Sequence, residues 1–147
     1  VVKLNKIIVA IILSDYYEEI SEGLLAGAIE YCVKYNLGHV LFRVPGALEI
    51  GSAIKIISEG GSNLSFNGFI ALGCVIRGET SHFEIVINES SRALTNLSIN
   101  NSLIIGNGIL TVENKDQAIN RSSNDSENKG YHAANACYSL IKLKDSV

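Results

Sequence analysis

Four short apolar runs set the rhythm of the chain: Lys6 to Leu13, His39 to Val44, Gly68 to Cys74 and Leu103 to Gly106. Their hydrophobicity is continuous rather than alternating, which is what strands need when both faces of a parallel sheet are covered. Between the runs the period becomes helical. Ile20, Leu24, Ala28, Tyr31 and Tyr35 form one stripe, closed by Asn36 to Gly38, and with the runs on either side they predict a βαβ unit. The only proline, Pro45, precedes Gly46 and a second helix with Leu48, Ile54 and Ile57 inward, which Gly60-Gly61 ends. A third helix from about Phe83 turns Phe83, Ile87, Leu94 and Leu97 inward; a short one follows near Asn114 to Arg121, and a last one covers Tyr131 to Lys142. The Ser, Asn and Asp-rich stretch from Arg121 to Lys129 reads as a loop.

Strands alternating with helices predict an α/β fold, a three-layer αβα sandwich on a four-stranded parallel sheet, flavodoxin-like in layout. At 147 residues and without a repeat or linker, the expectation is one domain, 1–147. Composition narrows the function. With 47% hydrophobic residues, a mean hydropathy of +0.23, a net charge of −3 and a pI near 5.6, the chain has no basic footprint for nucleic acid or anionic membrane. Cys32, Cys74 and Cys137 are odd in number and widely spaced, the pattern of buried free thiols in a reducing cytoplasm. His39, His82 and His132 lie far apart, and no metal-ligand spacing occurs, so no metal is expected. Triplets such as Asn96-Leu97-Ser98 reflect an Asn-rich composition, the N-terminus lacks a leader pattern, and residues ahead of Val1 are possible; the expected location is cytoplasmic.

Candidate chemistry concentrates after the third run, in Arg77-Gly78-Glu79-Thr80-Ser81-His82. Ser81 followed by Glu84 reads as a capping box, as do Asp15 and Glu18, so a helix is expected to begin at His82 or Phe83. Free N–H groups and a helix dipole beside His82 suit an anion, and the imidazole is expected to serve as a proton acceptor. The plain alternative is an ordinary strand-to-helix loop. Ligands of open parallel sheets sit beyond the carboxyl ends of the strands. Those ends are expected to supply Ser14 to Tyr17, Pro45 to Glu49, the His82 loop, and Asn107 with Gly108, all on one edge. Tyr16 can stack on a planar heterocycle or pack on the core. Glu49 can accept from a ring N–H or complement a helix dipole. Gly106-Asn107-Gly108 is no dinucleotide fingerprint, and Arg121 and Lys129 either meet a phosphate or stay solvated.

Val44-Pro45-Gly46-Ala47-Leu48-Glu49-Ile50, Ala71-Leu72-Gly73-Cys74-Val75-Ile76-Arg77-Gly78-Glu79-Thr80-Ser81-His82-Phe83, Gly108-Ile109-Leu110-Thr111-Val112-Glu113-Asn114 and Asn128-Lys129-Gly130 together resemble the signatures of the lumazine synthases, also called the β subunit of riboflavin synthase. Their order and spacing match over almost the whole chain. The resemblance implies condensation of 5-amino-6-(D-ribitylamino)uracil with 3,4-dihydroxy-2-butanone 4-phosphate to 6,7-dimethyl-8-ribityllumazine, phosphate and water, with neither metal nor organic cofactor. It implies His82 for proton transfer, and Glu79, Thr80, Arg121 and Lys129 for the butanone phosphate. Tyr16, Ala47, Leu48, Glu49, Cys74, Val75 and Ile76 would meet the pyrimidine and its ribityl chain. Asn107 falls where many members carry an apolar or aromatic residue lent by a neighbouring subunit, and its polarity departs from that pattern. Family members form pentamers, some stacked into cages; because Ser122 to Glu127 lacks the glycine-rich turn of cage formers, a homopentamer with shared sites is expected, with riboflavin synthase a candidate partner. A noncatalytic flavin- or lumazine-binding module and a shell protein of the same fold are the alternatives, and neither would give product.

Overall fold

Continuous hydrophobicity in the first run follows from its central position, with side chains alternating between two cores. The computed structural model describes residues 6–60 and 65–147. Its elements are β1 (Ile8–Ser14), α1 (Glu18–Lys34), β2 (Gly38–Val44), a 3-10 turn (Ala47–Glu49), α2 (Ile50–Glu59), β3 (Gly68–Ile76), α3 (His82–Asn100), β4 (Ile105–Val112), α4 (Lys115–Ser122) and α5 (Lys129–Ser146). The sheet order is β2-β1-β3-β4 and every pairing is parallel. Val9, Ile11 and Leu13 face a core shared with Leu24, Ala28, Cys137 and Ile141 of α1 and α5. Ala10 and Ile12 face the other, with Ile50, Ile54, Phe83 and Leu94 of α2 and α3. The expected three layers are present, with α1, α4 and α5 on one face and α2 and α3 on the other.

Several elements depart from the sequence pattern, each for a local reason. The fourth strand runs Ile105–Val112, so Asn107 and Gly108 lie in mid-strand opposite Ala71 and Leu72, not beyond the carboxyl end. Gly106 and Gly108 are there because α5 crosses that face closely: a methyl group on Gly106 would overlap the carbonyl oxygen of Ala133. Leu48 is exposed rather than inward, because the 3-10 turn intervenes before the α-helical period starts at Ile50. Tyr35 is also largely exposed; α1 ends before it, and its ring rests on Tyr31 with centroids 4.5 Å apart. Asn36 follows with a left-handed φ of 55°, a conformation that asparagine tolerates, and this turns the chain into β2. Gly60 caps α2, while Gly61 lies outside the described residues.

Neither expected capping box is formed. Tyr17, not Asp15, is the cap residue of α1, and Asp15 instead pairs with Arg43 at 3.6 Å. At α3 the Ser81 backbone is already helical and its side chain does not cap, while Glu84 pairs with Arg77 at 2.9 Å. A guanidinium is a stronger partner for a carboxylate than a backbone N–H. Caps do form at Asn114, whose side chain accepts from Gln117 N at 2.9 Å, and at Asn128, which accepts from Tyr131 N at 3.0 Å. The polar stretch is shorter than expected, since α4 runs to Ser122 and α5 starts at Lys129.

All three cysteines are free and buried, as expected. Burial pushes the Cys32 thiol up to about 11 and that of Cys137 to about 12. Between pH 9 and those values the folded protein keeps thiol protons that the unfolded chain loses, so stability must fall as pH rises. Urea midpoints at pH 8, 9.5 and 10.5 should decline steadily, and less steeply in Cys32→Ala. Close packing gives a second test. A methyl group on Gly130 would overlap the carbonyl oxygen of Leu24, where α5 crosses α1. Gly130→Ala is expected to cost about 1–3 kcal/mol by overpacking, read as a lower urea midpoint with an unchanged slope.

Candidate active site

Parallel strands release the chain repeatedly at one edge of the sheet, and a cavity of about 400 Å³ opens there. Tyr16 and Tyr17, just past β1, form one wall with their rings edge to face at 5.0 Å. Pro45 to Glu49 follow β2, and Cys74, Val75 and Ile76 are the last residues of β3. Gly78 and Thr80 of the next loop, with His82, Phe83 and Val86 of α3, complete the lining.

The floor is apolar and the rim is polar. Cys74, Val75, Ala47 and Phe83 are core residues as well as lining, so the floor is as fixed as the core. Burial pushes the Cys74 thiol up to about 11, which keeps it neutral. The Tyr17 phenol is also raised, by burial first and then by Tyr16 and Cys74, so it remains a proton donor. Tyr16 is 74% exposed, an open aromatic face rather than a core ring. Glu49 sits at the end of the 3-10 turn, its carboxylate folded towards Gly46. His82 is exposed and opens α3; its backbone N–H donates to Thr80 Oγ1 at 3.3 Å. The helix therefore starts inside the rim, with its positive end beside Thr80 and His82.

Nine of the residues singled out from the sequence meet here: Tyr16, Ala47, Leu48, Glu49, Cys74, Val75, Ile76, Thr80 and His82. Glu79 is exposed on the same loop but does not line the cavity. Arg121, Lys129 and Asn107 lie elsewhere, around a second hollow of about 200 Å³ formed by β4, α4 and the start of α5. Asn107 cannot reach the first cavity from mid-strand, and its side chain accepts from Ile109 N at 2.9 Å. Arg121 and the residue before Lys129 are each tied to backbone carbonyls. Arg121 donates to the carbonyl of Gln117 at 3.3 Å, and buried Asn128, next to Lys129, donates to the carbonyls of Gly23 and Ser123 at 3.0 and 2.9 Å. Tyr17, expected at this edge, also lines the cavity, while Phe83 and Val86 are lining residues that the pattern did not single out for the site. For these two the signal was available, since positions 82, 83 and 86 share one face of a helix. Among the described residues no three His, Cys, Asp or Glu side chains gather as a metal site, and no helix is long and apolar enough to cross a membrane.

Comparison with known proteins agrees with this geometry. The family model of 6,7-dimethyl-8-ribityllumazine synthase matches residues 6–145. The protein of that name from Bartonella henselae is 50% identical over 140 residues, covering 95% of this chain and 90% of the relative. That from Bartonella tribocorum is 49% identical over 136 residues, covering 92% and 89%. 6,7-Dimethyl-8-ribityllumazine synthase 1 of Rhizobium meliloti is 42% identical over 144 residues, covering 97% and 94%. A cavity at the carboxyl edge of a flavodoxin-like sheet, and a match that runs through every element around it, identify the chain as an enzyme of riboflavin biosynthesis belonging to the 6,7-dimethyl-8-ribityllumazine synthase family.

Proposed function

We propose that the protein condenses 5-amino-6-(D-ribitylamino)uracil with 3,4-dihydroxy-2-butanone 4-phosphate, giving 6,7-dimethyl-8-ribityllumazine, phosphate and water. The observation that carries this reading is that one cavity is lined together by an open tyrosine, a carboxylate and a histidine at a helix N-terminus. Tyr16 stacks on the pyrimidine, Glu49 accepts from its ring N–H, and Ala47, Leu48, Cys74, Val75 and Ile76 enclose it with its ribityl chain. Thr80 and the N–H groups at the start of α3 receive the butanone phosphate, with Glu79 contributing its backbone rather than its carboxylate. His82 moves protons as the amine adds to the ketone, water leaves to give an imine, phosphate is eliminated and the ring closes on the remaining carbonyl with loss of a second water. Each of these steps needs protons moved between partners held together, so proximity supplies much of the rate.

Arg121 and Lys129 belong to the phosphate in this reading, yet on one chain they line a different hollow from Thr80 and His82. Two complementary half-sites on different faces of one chain are what a head-to-tail ring requires. The working form is therefore a homo-oligomer, which the family resemblance makes a pentamer, in which one copy's Arg121 and Lys129 complete its neighbour's cavity and Asn107 lies near the seam.

Mixing both substrates with the protein should produce lumazine absorbance and fluorescence; no product would defeat the reading. His82→Ala should lower turnover by about 100-fold or more with unchanged thermal unfolding, whereas Arg121→Ala should chiefly raise the KM for the phosphate substrate. Co-expressing these two variants tests the shared site. If His82 and Arg121 act from adjacent copies, about a quarter of the sites in mixed rings are intact, and activity rises above the sum of the separate variants. Activity equal to that sum would show that both residues serve from the same copy.

A further inference from the structure

Arg77 lines neither cavity, yet it joins three parts of the frame around the first. Its backbone N–H donates to the carbonyl of Val112 at 2.9 Å, tying the end of β3 to the end of β4. Its Nε donates to Glu113, just past β4, at 2.6 Å, and its Nη1 to Glu84, in the first turn of α3, at 2.9 Å. The guanidinium also lies over the ring of Phe83, 4.5 Å from its centroid. Phe83 lines the cavity and directly follows His82. One side chain thus holds the first turn of α3 by a charge pair and by a stacked face, and anchors it to a strand on the far side of the loop.

The local alternatives for fixing that turn are weak. The Ser81 hydroxyl does not cap α3, and the N–H of His82 is met only by Thr80 Oγ1 at 3.3 Å. Gly78 has open space around it and adds no packing. We infer that Arg77 is a positioning residue for the reaction: by clamping Glu84 and Phe83 to Glu113, it sets the angle at which α3 begins and so the place of His82 and Thr80 over the bound substrates. The inference rests on the proposed function for its kinetic consequence, though the clamp itself does not. Because the guanidinium and both carboxylates are half-exposed, the ion pairs add little to global stability. Their effect is on placement.

The test compares Arg77→Ala and Arg77→Lys with the wild type by steady-state kinetics, thermal unfolding and NMR of selectively 13C-labelled histidines, with the His82 signal assigned from His82→Asn. Arg77→Ala should lower kcat by about 10- to 100-fold, in line with a small misplacement of a reacting group. KM should change far less, and the unfolding temperature little. The His82 ring signal should shift or broaden while those of His39 and His132 stay fixed. Arg77→Lys should recover only part of kcat, because an ammonium pairs as a point charge but offers no planar face to Phe83. An unperturbed His82 signal in Arg77→Ala overturns the inference, as does a loss of activity matched by a proportionate loss of stability. If the wild type makes no lumazine, the proposed function fails, and the NMR comparison still decides the clamp.

Discussion

Because every strand of the sheet runs parallel to its neighbours, each must be followed by a crossover that covers one face, and the chain leaves the sheet each time from the same edge. Two features follow. The strands are buried on both sides, with Val9 to Leu13 fully enclosed, and the segments after β1, β2 and β3 are brought together without any long-range specification of their own. The cavity is thus a by-product of pairing direction. Its chemistry depends on what those segments carry.

The division of labour within the cavity reflects the same constraint. Cys74, Val75, Ala47 and Phe83 belong to the cores, so the floor cannot move without disturbing them. Tyr16, Leu48, Glu49, Thr80 and His82 are exposed and stand on turns or the first residue of a helix. Chemistry-bearing groups on short connections over a packed floor combine reach with fixed origin. Where the connection is longest, between Ile76 and His82, the structure adds the Arg77 contacts to Glu84, Glu113 and Phe83.

Legibility from sequence followed how local the cause was. β1 and β3 were readable because double-sided burial imposes continuous hydrophobicity, and the loop after β3 because a cation, an acid and a histidine are poor core material. β4 was misjudged because Gly106, Asn107 and Gly108 are weak strand formers, and what selects the glycines is the backbone of α5, which is remote in sequence. Both capping boxes had the right residues at the right spacing. They failed because Arg77 takes the carboxylate of Glu84, and because α1 starts from Tyr17, which leaves Asp15 two residues ahead of it and facing Arg43. Leu48 looked like a core position because helical period was assumed three residues too early. The separation of Arg121 and Lys129 from His82 was the least legible, since it depends on how α4 and α5 pack against β4.

That separation has a physical consequence for the proposed chemistry. A phosphate that must leave carries charge best stabilised by cations, and a helix N-terminus with one hydroxyl is a modest partner for a dianion. In the proposed reading the cations come across a seam, and they would meet the rim only when two copies are docked. Asn128, buried and bonded to the carbonyls of Gly23 and Ser123, fixes the start of α5, where Lys129 stands. Assembly, in that reading, would bring to the first cavity the cations that a single chain holds apart from it.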